Sequence, residues 1–182
     1  MWPQFRHYVG NHRIALSFAA GVLFFVFARP TAWSIGLGLP LVVAGEALRV
    51  WSSGTLEKNV AIANGGPYAY TRNPLYVGNF VIGLGFVVMG HNPWLGLAYL
   101  LLFPLIYLPT VLEEERFLRA KFGTGYERYL ERVPRFFPRW GPGTDAVGHF
   151  RWGLVMFHRE HRTWYGLAAA VAAVVARSGL SA

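Results

Sequence analysis

Two short stretches hold most of the side chains able to do chemistry. The first runs Gly66-Pro67-Tyr68-Ala69-Tyr70-Thr71-Arg72-Asn73-Pro74-Leu75-Tyr76-Val77-Gly78; the second is Glu113-Glu114-Glu115. Arg72 is a planar, permanently charged donor suited to a carboxylate or a phosphate. Tyr68, Tyr70 and Tyr76 offer ring faces and hydroxyls. Three adjacent glutamates repel one another, so at least one needs a cation. Arg72, Arg116, Arg119 or a positively charged ligand would serve. A ligand that joins a carboxylate, an amine and a sulfonium would satisfy this set, and a phosphorylated nucleotide would do so less completely. The simpler alternative is a solvated helix start with i,i+4 pairs after Glu113, beside tyrosines that act only as interfacial belt residues.

The elements that must bring these stretches together are apolar. The chain has 182 residues, a length that favours one domain over 1–182. It is 54% hydrophobic and only 14% charged, against roughly 25% charged for a soluble domain. That deficit points to a bilayer. With no cysteine there is no disulfide framework, thiolate metal site or catalytic thiol. The net charge of +8 does not point to nucleic acid, because the basic residues lie between apolar runs, where topology and anionic headgroups explain them. His158 and His161 share a helix face without a third ligand, so no metal site is expected.

In chain order, Met1 to Arg13 reads as a basic interfacial lead-in without a cleavage pattern. Residues 14–28 read as a first span. Arg29-Pro30-Thr31 is a turn, and residues 32–51 form a second span carrying Glu46 and Arg49 on one face. An intramembrane carboxylate is a functional candidate, but a pair that merely secures the helix end is the simpler reading. Residues 52–71 are polar and glycine-rich. Pro74 suits the first turn of a third helix over 75–90, whose Gly78, Gly83, Gly85 and Gly90 leave a thin face for a neighbour or a ligand. A fourth span covers 94–112. An amphipathic helix over 113–132 follows, with Phe117, Leu118, Phe122, Tyr126, Tyr129 and Leu130 at helical spacing and a break near Gly123 and Gly125. Residues 151–162 suit a membrane surface, and 164–176 form a possible fifth span. The expected fold is therefore all-α: a polytopic membrane protein with about five transmembrane helices and a cytoplasmic-side amphipathic helix in its C-terminal part.

The basic residues test this layout. If 1–13 is cytoplasmic and all five helices cross, Arg6, Arg13, Arg49, Lys58, Arg72 and every Lys or Arg from Arg116 to Arg162 fall inside. Only Arg29 and Arg177 fall outside, as the positive-inside rule requires. Both chemical stretches then share the cytoplasmic face.

Gly66-Pro67-Tyr68, followed by Thr71-Arg72-Asn73-Pro74-Leu75-Tyr76-Val77-Gly78, resembles a signature of the isoprenylcysteine carboxyl methyltransferase and phospholipid methyltransferase superfamily. So does Glu114-Glu115 with Leu118, Phe122-Gly123, Tyr126, Tyr129, Arg132-Val133-Pro134-Arg135-Phe136 and Pro138. The resemblance covers about residues 45–140 and leaves the tail 141–182 without a reading. It implies an integral membrane enzyme that uses S-adenosylmethionine. Tyr68, Arg72, Asn73, Pro74, Tyr76, Gly78, Glu114 and Glu115 would then belong to the cofactor pocket. Tyr126, Tyr129, Arg132 and Arg135 would flank the substrate, and Glu114 and Arg132 would be catalytic. Asn73 stands where the carboxyl methyltransferase branch has histidine, which fits the phospholipid branch and leaves the acceptor open.

The expected reaction is methyl transfer to a membrane lipid or lipid-linked small molecule through a carboxylate, thiol or amine, with no nucleic acid partner. Two alternatives remain beside it: a membrane reductase of the sterol-reductase type using NADPH, and a non-enzymatic membrane scaffold.

Overall fold

Glycines seven residues apart decide how the two central helices meet. Residues 21–57, 60–144 and 147–180 of the computed structural model are described; the basic lead-in and the first part of the 14–28 span lie outside them. Helix α1 covers residues 21–27. Helix α2 runs Ala32–Thr55, starting from a reciprocal cap between Thr31 and Ser34. Helix α3 runs Pro74–Gly90, with the proline at its first turn and His91 in the left-handed region closing it. Gly38 and Gly45 of α2 face Gly85 and Gly78 of α3, so closely that a Cβ on Gly45 would stand 2.7 Å from the Gly78 carbonyl oxygen. Backbone rides on backbone here, the packing that small residues permit between apolar helices.

Helix α4, Pro93–Phe122, is one continuous 30-residue helix capped by Asn92. The glutamates do not open a new amphipathic helix at Glu113, as the sequence suggested; they lie in the last part of α4. The break comes at Gly123, whose φ of 55° favours glycine, and α5 follows over Thr124–Arg132. The second span is also longer than expected. Ser52 and Thr55 turn their hydroxyls back onto the Leu48 and Trp51 carbonyls, so these polar residues extend the helix rather than end it. The 151–162 stretch divides: α6 is Trp152–Phe157, Arg159 turns with φ 59°, and α7 runs Glu160–Leu180.

Hydrogen bonds place the two ends of the bundle. At one end Asn92 Nδ2 donates to the Phe27 carbonyl, Arg29 N to the Gly90 carbonyl, and Arg177 Nε to the Ala28 carbonyl. At the other, Arg49 of α2 bonds Asn79 of α3 and Glu160 of α7. Helix α7 therefore runs the length of the bundle beside α2.

All described regular structure is helical. Among the described residues two helices, α2 and α4, are long and apolar enough to cross a membrane. Their outward residues are large and bare: Trp33, Val43, Trp94 and Leu101 are each at least 60% exposed, an apolar exposure that suits lipid rather than water. The five-span count of the sequence reading goes beyond these two.

Gly78 was expected in the cofactor pocket. It packs instead on Gly45 and the Arg49 stem, and it does not line the cleft described below. Gly78→Ala should therefore behave like Gly85→Ala, two turns further along the same seam. Both should lower the thermal midpoint by the ~1–3 kcal/mol typical of overpacking. Neither should selectively weaken ligand binding in titrations of the folded variants.

Candidate functional site

The two sequence blocks are zipped together by backbone. Arg72 N donates to the Pro134 carbonyl at 2.9 Å and Arg139 N to the Tyr70 carbonyl at 3.2 Å. Thr71 Oγ1 reaches the Arg135 and Phe136 carbonyls, and Asn73 Nδ2 reaches the Arg135 carbonyl, all at 3.1 Å. Tyr129 Oη donates to the Tyr68 carbonyl at 2.8 Å. Pro74 disfavours a helix through Asn73, whose backbone is non-helical, so residues 71–73 stay outside regular structure and available for these bonds. Thr71, Asn73 and Pro74 are buried as a result.

A cleft opens beside this seam, with about 690 Å³ of empty space counting its mouth. Tyr68, Arg72, Asn73, Pro74, Tyr76, Glu114, Glu115, Tyr126 and Tyr129 line it, together with Leu118 and Phe122. Its fourth wall is Leu56 and residues 61–63. Nothing in the Ala61-Ile62-Ala63 sequence signals that role.

The charges inside divide unevenly. Glu115 is only 6% exposed and takes both arginines. Arg135 grips it with a fork of 3.1 and 2.8 Å, and Arg72 Nη1 stands 3.2 Å away. This paired hydrogen bonding is the geometry for which arginine is suited. Glu114 receives only the Tyr76 hydroxyl, at a long 3.3 Å, and no cation among the described residues. Tyr76 itself leans edge-on against Tyr107, 5.7 Å between ring centroids. Two buried donors are left unsatisfied by the described residues: Tyr68 Oη and Arg72 Nε. A buried polar atom without a partner is costly, so this cleft is shaped for something that supplies an acceptor to these donors and a cation to Glu114.

The structure does not bring every expected residue into the cleft. Arg132 is exposed and contributes its backbone carbonyl to Arg139 Nη1 instead. Arg135 does not stand free for a substrate anion, because Glu115 holds its guanidinium. Neither His158 nor His161 belongs to a metal cluster; among the described residues no group of three potential ligands converges. Glu46 and Arg49 do pair, at 3.3 Å, but within a wider buried network taken up below.

Burial fixes the protonation of the cleft tyrosines. Desolvation, then Glu115, pushes Tyr126 up to about 12. Burial and neighbouring groups raise Tyr129 and Tyr68 as well. All three are neutral donors at physiological pH. Because the folded values lie above the free phenol, their contribution to stability is complete below pH 10.0 and fades as pH climbs toward about 12. The thermal midpoint in detergent should hold flat to that lower bound and then fall, with phenolate absorbance rising in step with unfolding.

The sequence profile of the phospholipid methyltransferase family matches residues 33–125, which takes in α2, α3, α4 and most of the cleft. The chain belongs to this family. It is 33% identical over 141 residues to the cobalt-zinc-cadmium resistance protein CzcN of Cupriavidus metallidurans, covering 74% of this chain and 65% of that one. It is 32% identical over 135 residues to the human protein-S-isoprenylcysteine O-methyltransferase, covering 68% and 48%. A steroid 5-alpha-reductase of Solanum lycopersicum, DET2, is 27% identical over 104 residues, covering 54% and 40%. The chain thus spans just under two thirds of the first of these relatives and about half of the second. No solved structure matches.

Proposed function

We propose that the protein transfers the methyl group of S-adenosylmethionine to a membrane-borne lipid or isoprenoid-type acceptor, in a cleft at the cytoplasmic face. The observation that carries this reading is the mismatch inside the cleft. Among the described residues Glu114 has no cation, and Tyr68 Oη and Arg72 Nε have no acceptor. A zwitterionic amino acid that also bears a sulfonium supplies both. Its family and its similarity to the human protein-S-isoprenylcysteine O-methyltransferase support a methyltransferase.

Glu114 would hold the positive end of the cofactor, Arg72 and Tyr68 its carboxylate, and Asn73, Pro74 and Tyr76 would shape the floor. Bound there, the cofactor supplies a methyl group already activated on sulfur. The chain's task is to place an acceptor in line with that methyl and to exclude water. Tyr126, Tyr129, Leu118 and Phe122 provide the largely apolar wall that does so. A carboxylate or thiolate acceptor needs no base. An amine would attack in its neutral form, and a cleft glutamate would assist the loss of the proton from the methylated product.

The topology in this proposal is five crossing helices with the cleft inside. Support comes from α7, whose 21 residues extend roughly 31 Å at the α-helical rise, enough for a hydrocarbon core. It starts beside Arg49 and reaches Ala28 at the opposite end.

Membranes carrying the protein and supplied with methyl-labelled S-adenosylmethionine should move label into the organic extract. Glu114→Gln membranes should move far less. Label that stays in the aqueous phase with the wild type would contradict a lipid-type acceptor.

A further inference from the structure

Part of the tail beyond the family-matched residues packs around one object, the fourth wall of the cleft formed by Leu56 and residues 61–63. Thr144 Oγ1 donates to the Asn64 carbonyl. Gly148 lies so close to Gly65 that a Cβ there would stand 2.6 Å from the Gly148 nitrogen. Arg151 N donates to the Gly54 carbonyl at 2.8 Å, and its guanidinium pairs with Glu57. His158 Nε2 meets the Leu56 carbonyl at 3.0 Å. These contacts flank residues 61–63, which carry no regular structure of their own.

The strap ends in a lock. Glu160, 6% exposed, opens α7. Its Oε1 accepts from Ser53 Oγ and its Oε2 from Arg49 Nη2, both at 2.7 Å. Arg49 also reaches Glu46, Asn79 and Thr163. One largely shielded guanidinium thus ties α2, α3 and α7 together, and its partner on α7 lies 111 residues away in sequence. A local helix-end pair would need none of this. Removing one partner of such a pair leaves an uncompensated buried charge.

We propose that residues 143, 144 and 147–163 act as a clamp, locked by Glu160 onto Arg49 and Ser53, that holds the wall of Leu56 and residues 61–65 in its ligand-competent position. Glu160 is then a positioning residue: it touches neither cofactor nor acceptor and works through the wall. The clamp's effect on ligand affinity rests on the cofactor reading above; its effect on the wall does not. If release leaves the wall in place only a fraction of the time, apparent affinity falls by that fraction.

The absence of cysteine allows a direct test. A single thiol introduced as Ala63→Cys in the wall, and another as Ala120→Cys on exposed α4 as control, would be labelled with a maleimide in detergent. Glu160→Gln should speed labelling at position 63 by about tenfold and leave position 120 unchanged, the pattern of local rather than global opening. Glu160→Asp should restore part of the protection. S-adenosylhomocysteine should bind the Glu160→Gln protein about tenfold more weakly. Should that variant fail to fold, Arg151→Gln, which frees the strap from Glu57, should accelerate labelling at 63 in the same way. Unchanged labelling at 63 in a folded variant overturns the clamp. Faster labelling with a wild type that binds no S-adenosylhomocysteine upholds the clamp on the wall and sinks the cofactor reading.

Discussion

Glu115→Gln should be the most damaging single change in the cleft. It removes the one carboxylate that holds Arg72 and Arg135 and leaves two guanidiniums facing each other, with the Arg72 side chain only 13% exposed. Breaking a buried pair from one side costs about 3–5 kcal/mol. The lower end applies, because the Arg135 side chain is 38% exposed and water screens part of the loss. For a chain of this length, a loss near 3 kcal/mol lowers the thermal midpoint by roughly 6–12 °C. The zipper between residues 70–73 and 134–139 should loosen with it, because Glu115 ties Arg72 on one side of that seam to Arg135 on the other. Circular dichroism melts in detergent measure the first effect, and amide exchange at residues 71–73 measures the second.

Glu114→Gln should do the reverse: little to the fold and much to the ligand. Glutamine keeps an acceptor for the Tyr76 hydroxyl and breaks no ion pair among the described residues. The midpoint should therefore stay within about 2 °C of wild type. What disappears is the cleft anion that, among the described residues, no arginine neutralises. Losing a close charge partner at a partly shielded site costs about 2–5 kcal/mol. At the low end that is roughly a 30- to 100-fold rise in the dissociation constant for S-adenosylhomocysteine. The contrast between adjacent glutamates is the sharper test: Glu115 serves structure first, and Glu114 serves the ligand.

Much of this was legible in the sequence because the chemistry is local. Pro74 after Asn73 announces an extended lead into a helix, and the Arg72 and Glu114-Glu115 blocks lie at opposite ends of one apolar hairpin. The structure brings both to one cleft. What was not legible depended on partners far away in the chain. Ser52, Ser53 and Thr55 read as loop because they are polar, yet each hydroxyl finds a carbonyl or Glu160 and the helix continues. Glu113 to Glu115 read as a helix start because charges usually end a span; here Arg72 and Arg135 neutralise Glu115 and α4 runs through. Gly78 read as part of a ligand pocket because it closes the motif, but its missing side chain makes room for Gly45 and Arg49. Arg132 read as a substrate residue from its motif position, whereas the α5 register turns Tyr126 and Tyr129 inward and leaves it exposed. The Glu46–Arg49 pair was visible, but the glutamate on α7 that makes it a three-helix lock was not.

The measurement that bears most directly on the cofactor reading is a calorimetric titration of detergent-purified wild type with S-adenosylhomocysteine and, separately, with NADPH. Saturable binding of S-adenosylhomocysteine, lost in Glu114→Gln and indifferent to NADPH, is the expected result. Saturable binding of NADPH with none of S-adenosylhomocysteine would contradict it and place the cleft with the reductases.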